Sequence, residues 1–106
     1  MTSDQLKEIG SRIVERRKQL NYTQEQIADK MDVSIQMISN LERGNKAIKI
    51  ENLLKISEIL NVSTDYILTG KHNQKDVSSI LERINKLSDD DYKMIDTLID
   101  YCLNKK

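Results

Sequence analysis

The stretch TQEQIADKMDVSIQMISNLERG, Thr23 to Gly44, decides the fold. Thr23 and Gln26 have the spacing of a capping box, in which the threonine hydroxyl accepts from the Gln26 backbone N–H and the Gln26 side chain reaches back to the cap. The helix this opens is short. Ile27, Ala28 and Met31 form its inward face, and it stops near Asp32, a residue that tolerates a left-handed turn backbone. Ser34 caps the next helix, whose inward residues are Ile38 and Leu41. Gly44 ends it, because a C-cap favours the left-handed geometry that glycine adopts without hindrance. Two short helices are thus joined by about three residues. The small Ala28 lies where they would cross, and Ile27, Met31, Val33, Ile38 and Leu41 can lock the crossing angle.

Outward from this pair the pattern stays helical. Leu6, Ile9, Ile13 and Leu20 recur at helical spacing, so a first helix is expected from a cap at Asp4 to about Leu20, with Asn21 just beyond it in a left-handed conformation. A fourth helix is expected over Ile50–Leu60, with Ile50, Leu53, Leu54, Ser57 and Leu60 on one face. Asn61-Val62-Ser63 breaks it, and Ser63 caps a fifth helix through Tyr66, Ile67 and Leu68 that Gly70 ends. Residues 71–75, Lys-His-Asn-Gln-Lys, contain no apolar side chain and read as a linker between a domain at 1–70 and a helical tail at 76–106. The tail holds two amphipathic helices. Val77, Ile80, Leu81 and Ile84 mark the first, and Tyr92, Ile95, Leu98, Ile99 and Cys102 form the stripe of the second. Ser88 and Asp91 have capping-box spacing at its start. Two such short helices cannot easily bury both stripes against each other, so they are expected to pack on the five-helix unit or on a second copy of the chain.

Composition agrees with an all-α chain and narrows its chemistry. Across 106 residues there are no prolines, three glycines, no Phe or Trp, and 38% hydrophobic residues, mostly Leu and Ile. Charge is high, at 32%, but balanced, with 17 basic and 17 acidic residues, so net charge does not argue for general polyanion binding. Residues 1–49 carry nine Lys/Arg against seven Asp/Glu, a slight local excess. The single Cys102 leaves no intramolecular disulfide and no thiolate cluster, and reads most simply as a small apolar residue on the last stripe. His72 is the only histidine and lies in the polar stretch. No carboxylate–histidine–nucleophile set can be built from it, so neither an enzyme nor a metal or other cofactor is expected. Asp89-Asp90-Asp91 occupy a first helical turn, where the helix dipole favours acids. The apolar runs are too short to span a bilayer, and Met1-Thr2-Ser3-Asp4 lacks the regions of a signal peptide, so a cytoplasmic location is expected.

A short helix pair of this kind lets its second helix project an outer face into a DNA major groove, which is wide enough for one helix. The segment closely resembles the helix-turn-helix of the lambda-repressor and Cro-like family, often called the XRE family. The resemblance covers about residues 6–70, some 60% of the chain. It is carried by Arg17, Thr23-Gln24, Ala28, Val33-Ser34, Ile38, Leu41-Glu42-Arg43-Gly44, Ile50-Glu51-Asn52-Leu53-Leu54-Lys55-Ile56, Leu60-Asn61-Val62-Ser63 and Tyr66-Ile67-Leu68-Thr69-Gly70. Asp32 stands where the family usually has Gly in the turn, and Ala47-Ile48 where a Pro is common. The resemblance implies a five-helix lambda-repressor-like DNA-binding domain, here followed by two short C-terminal helices.

It also implies site residues. Ile35, Gln36, Met37 and Asn40 take the base-reading positions, with Ser39 as a backbone contact. The chemistry suits this independently. Gln36 and Asn40 can each pair with adenine N6 and N7, at roughly 1–3 kcal/mol of discrimination per pair, and Ile35 or Met37 can pack on a thymine methyl. One of those two could instead be a core or dimer residue. Gln24 matches a phosphate-contacting residue at the start of the second helix, and Arg43, Asn45 and Lys46 are expected to face the DNA backbone. Arg12 and Arg16 are open between a solvated surface and phosphate contact. Arg17 and Glu42 match a structural salt bridge between the first and third helices. The expected function is a dimeric transcriptional repressor on a palindromic operator in double-stranded DNA, with Tyr92, Ile95, Leu98, Ile99 and Cys102 in dimerisation. Two alternatives stand beside it: a protein-interaction module of antitoxin or anti-repressor type, and a signal-responsive regulator acting through the tail, its signal unspecified.

Overall fold

The computed structural model describes residues 1–105. Among them it is all-helical: α1 (Ser3–Gln19), α2 (Gln24–Met31), α3 (Ile35–Glu42), α4 (Ile50–Leu60), α5 (Thr64–Thr69), α6 (Gln74–Ile84) and α7 (Asp89–Asn104). They fall into two units, Met1–Asp76 and the segment from Val77 on.

Local chemistry sets the helix ends of the first unit. Thr23 Oγ1 accepts from the Gln26 amide at 3.1 Å, and the Gln26 side chain accepts from the Thr23 amide at 2.8 Å, completing the capping box of α2. Ser34 and Ser63 cap α3 and α5 through their hydroxyls. Asn21, Asp32 and Asn61 take positive φ angles of 61°, 57° and 52°, and Gly44 and Gly70 follow at 72° and 80°. Asp32 thus makes the turn between α2 and α3 in place of a glycine, as its short polar side chain allows. The start of α1 differs from expectation. Thr2 is the cap, forming both halves of a capping box with Gln5, and Asp4 lies in the first turn. There its carboxylate gains from the dipole, but only Thr2 can satisfy the end amide reciprocally.

The core is built from Ile9, Ile13, Ile27, Ala28, Met31, Ile38, Ile56, Leu60, Val62 and Ile67. Helix α1 packs on α3, α4 and α5, while α2 bridges α3 and α4. Gly10 makes the α1–α3 contact possible. A Cβ there would lie 2.5 Å from the Leu41 carbonyl oxygen and 2.8 Å from the Glu42 carbonyl carbon, closer than real Cβ atoms come. On α4 the buried face is Asn52, Ile56, Ser57 and Leu60, with Leu53 half-buried. Ile50 and Leu54, expected inward, are 79% and 55% exposed. At about 100° per residue, Leu54 lies on nearly the opposite side of the helix from Ile56, and Ile50 about 120° away from it.

Helix α6 begins inside the stretch expected as a linker. Asn73 Oδ1 accepts from the Asp76 amide at 3.2 Å and Asp76 Oδ2 accepts from the Asn73 amide at 3.0 Å, a reciprocal cap. The Asp76 carboxylate is buried and also accepts from the Ser63 amide at 2.7 Å and the Ser63 hydroxyl at 2.6 Å, tying the start of α6 to the cap of α5. His72 stacks on Tyr66, ring centroids 4.2 Å apart, with Nδ1 3.4 Å from Asp76 Oδ2. Burial by itself would raise the Asp76 pKa. Hydrogen bonds from the Ser63 hydroxyl, the Asn73 and Ser63 amides and His72 outweigh it and hold the carboxyl below its ordinary value.

In the second unit, Ser88 caps α7 by accepting from the Asp91 amide at 3.2 Å. No residue of α7 is buried. Val77, Ile80, Leu81, Tyr92, Leu98 and Ile99 are all more than 40% exposed, Cys102 is exposed, and Ile84 and Ile95 are half-buried. No helix among the described residues is long and apolar enough to cross a membrane.

Candidate nucleic-acid interface

Helix α3 is held by a charge cluster at its C-terminal end. Arg17 of α1 meets Glu42 with two contacts, Nε–Oε2 at 2.7 Å and Nη2–Oε1 at 3.0 Å, and the side chains are only 12% and 4% exposed. Arg17 Nη1 also donates to the Tyr22 carbonyl at 2.9 Å. Gln24, the first residue of α2, donates through Nε2 to Glu42 Oε1 at 2.9 Å. One buried carboxylate thereby joins α1, α2 and α3. A planar guanidinium suits this because its fork matches both carboxylate oxygens at once.

Away from the core, α3 is open to solvent. Ile35 is 48% exposed, Gln36 is exposed, and Met37, Ser39 and Asn40 are half-buried. Gln36 Nε2 donates to Asn40 Oδ1 at 3.2 Å, Arg43 Nη2 donates to the same oxygen at 2.9 Å, and Arg43 Nη1 donates to Ser39 Oγ. Beside this row lies a groove of about 380 Å³, lined by Ser34, Gln36, Met37 and Asn40 on one side and Lys46 and Lys49 on the other. Asn45, Lys46 and Lys49 are exposed in the loop before α4. Of the expected reading residues, Gln36, Met37 and Asn40 line this groove and Ile35 does not, and Lys49, which sequence reasoning missed, lines it with them. Lys49 is the N-cap of α4, makes no side-chain cap there, and offered no motif to single it out.

Arg12 and Arg16 lie elsewhere. Arg12 Nη1 donates to the Ile67 carbonyl at 2.9 Å and Nη2 lies 3.6 Å from Glu8; Arg16 Nε donates to the Leu60 carbonyl at 2.8 Å. Both guanidiniums satisfy carbonyls in the last turns of α4 and α5, where free oxygens and the dipole attract a cation. Among the described residues no cluster of His, Cys, Asp and Glu could hold a metal.

A helix pair crossed in this way, with the second helix presenting amides and flanking lysines to solvent, defines a helix-turn-helix DNA-binding protein. A helix-turn-helix family model matches residues 13–67. The chain is 37% identical over 89 residues to the HTH-type transcriptional regulator ImmR of Bacillus subtilis (strain 168), covering 78% of this chain and 70% of that protein. It is 30% identical over 98 residues to the cryptic phage CTXphi transcriptional repressor RstR of Vibrio cholerae, covering 90% and 87%. In fold it is similar to the restriction-modification controller protein C.AhdI from Aeromonas hydrophila, with TM-score 0.57 and 24% identity over 62% of this chain and 98% of that one. The chain belongs to the XRE-type helix-turn-helix family of DNA-binding transcriptional regulators.

Proposed function

We propose that this chain is a cytoplasmic repressor that acts as a homodimer on a roughly palindromic operator. The observation that carries the reading is the outer face of α3, where Gln36 and Asn40 present amides beside Lys46 and Lys49. In this reading Ile35, Gln36, Met37 and Asn40 meet base edges. Gln24, Ser39, Arg43, Asn45, Lys46 and Lys49 lie along the phosphates. Gln24 can do so while bonded to Glu42, since its amide nitrogen carries a second hydrogen. Arg17 and Glu42 fix the angle of the groove helix, and Arg12 and Arg16 belong to the scaffold.

The tail supports self-association. Tyr92, Leu98 and Ile99 stay 52%, 56% and 47% exposed on α7, with Ile95 and Cys102 on the same stripe. Burying such a stripe contributes about 25 cal/mol per Å² of apolar surface. A two-fold dimer would set two α3 helices about 34 Å apart, in successive major grooves on one face of the duplex. Repression would follow from occupying promoter DNA.

The same exposed stripe favours a second reading, in which the tail takes up a different protein and the chain works as an antitoxin-type or signal-responsive module. Selection of bound duplexes from a randomised pool separates the two. The repressor reading expects a two-fold symmetric motif with half-sites about one helical turn apart. Weak, salt-sensitive binding without sequence preference would overturn it and favour the protein partner.

A further inference from the structure

The carboxamides of Gln36 and Asn40 are not two independent readers. A guanidinium only donates, so the Asn40 atom 2.9 Å from Arg43 Nη2 must be the carbonyl oxygen. That oxygen also lies 3.2 Å from the Gln36 side chain, which must turn its amide nitrogen toward it. A carbonyl oxygen has two lone pairs, and both are engaged. Arg43 is held in turn by Ser39 Oγ. Asn40 therefore offers only N–H donors outward, whereas Gln36 keeps one N–H and its own carbonyl.

We propose that Arg43 is a positioning residue that sets base preference, making Asn40 a donor-only reader selecting guanine while Gln36 remains a donor–acceptor reader selecting adenine. The inference rests on the reading of α3 as the groove helix. In the major groove guanine shows two acceptors, N7 and O6; adenine sets an N6 donor beside N7; cytosine shows a donor; thymine has one acceptor beside a methyl group. A donor-only amide matches guanine and meets an opposing N–H on adenine or cytosine. Removing Arg43 frees the Asn40 carbonyl to accept from adenine N6, and guanine loses its advantage.

The test is selection from a randomised duplex pool with the full chain, Asn40→Ala and Arg43→Met, followed by competition binding with single-base variants of the motif. The position read by Asn40 is the one whose preference Asn40→Ala erases. The expected result is guanine there, favoured over adenine by about tenfold in the parent chain. In Arg43→Met that ratio falls to near one while every other position keeps its preference. A lost phosphate contact would weaken binding uniformly across sequences and would not move the ratio. A thermal melt of Arg43→Met, an exposed position, checks that the fold is intact. Adenine at the Asn40 position, or a guanine preference unchanged in Arg43→Met, overturns the inference and leaves the groove-helix reading standing. A pool that yields no motif overturns both.

Discussion

Replacing Arg17 by methionine removes a guanidinium from one side of a carboxylate that is 4% exposed. Glu42 then keeps only the Gln24 amide at 2.9 Å. Stranding one member of a buried ion pair costs about 3–5 kcal/mol, against about 0.2–1 kcal/mol for an exposed pair. Domains of this size have total stabilities of about 5–15 kcal/mol, so the loss is a large share of the whole. At about 4–8 °C per kcal/mol it lowers the melting temperature by more than about 10 °C. Urea denaturation of the parent, Arg17→Met, Glu42→Met and the double variant gives the coupling directly. The double variant is expected to be more stable than Arg17→Met, because no charge is left buried without its partner. A loss under about 1 kcal/mol in Arg17→Met, or a double variant that merely adds the two single losses, would refute the pair as the clamp on α3.

Three further outcomes follow from the geometry. Because the Asp76 pKa lies below its ordinary 3.8 when folded, the native state holds that proton less tightly than the unfolded chain. Its stabilisation is full above the ordinary value and is lost as pH falls through the folded one, so the stability gap between the parent and Asp76→Asn narrows on acidification; a gap independent of pH counts against the Ser63–Asn73 cradle. Arg16→Met should cost about 1–3 kcal/mol in a melt and leave the salt dependence of DNA binding unchanged; a salt slope reduced by about one would put this guanidinium on a phosphate. On the proposed homodimer, Leu98→Asp with Ile99→Asp should raise the dissociation constant at least about a hundredfold by sedimentation equilibrium, since each aliphatic buried in the seam would contribute about 1.5–3 kcal/mol. Unchanged association would move the interface elsewhere.

What could be read from residue order was mostly local. Caps at Thr23, Ser34, Ser63 and Ser88 and left-handed turns at Asn21, Asp32 and Gly44 depend on neighbours a few residues away, and each stands in the structure. The Arg17–Glu42 pair is a long-range contact that family resemblance made legible, and the structure forms it. What stayed hidden depends on what lies opposite in space. Gly10 looks like an ordinary helix-weakening residue until the Leu41 and Glu42 carbonyls are seen against it. Arg12 and Arg16 face helix C-termini that lie more than forty residues away. The polar stretch before Asp76 read as a linker because it has no apolar residue, although Asn73-Gln74-Lys75-Asp76 carries the cap spacing that starts α6. The rotation of α4 that exposes Ile50 and Leu54 goes with its packing on α1, α2 and α5, which no pattern within α4 reveals.

The central claim is that the outer face of α3 reads sequence. It is tested most directly by equilibrium binding of the parent, Gln36→Ala and Asn40→Ala to a selected duplex and to a scrambled one, at about 0.1 M salt where phosphate attraction is comparable in both. The account predicts that each variant loses about 1–3 kcal/mol on the selected duplex and almost nothing on the scrambled one. Equal losses on both duplexes, or none on either, would contradict it.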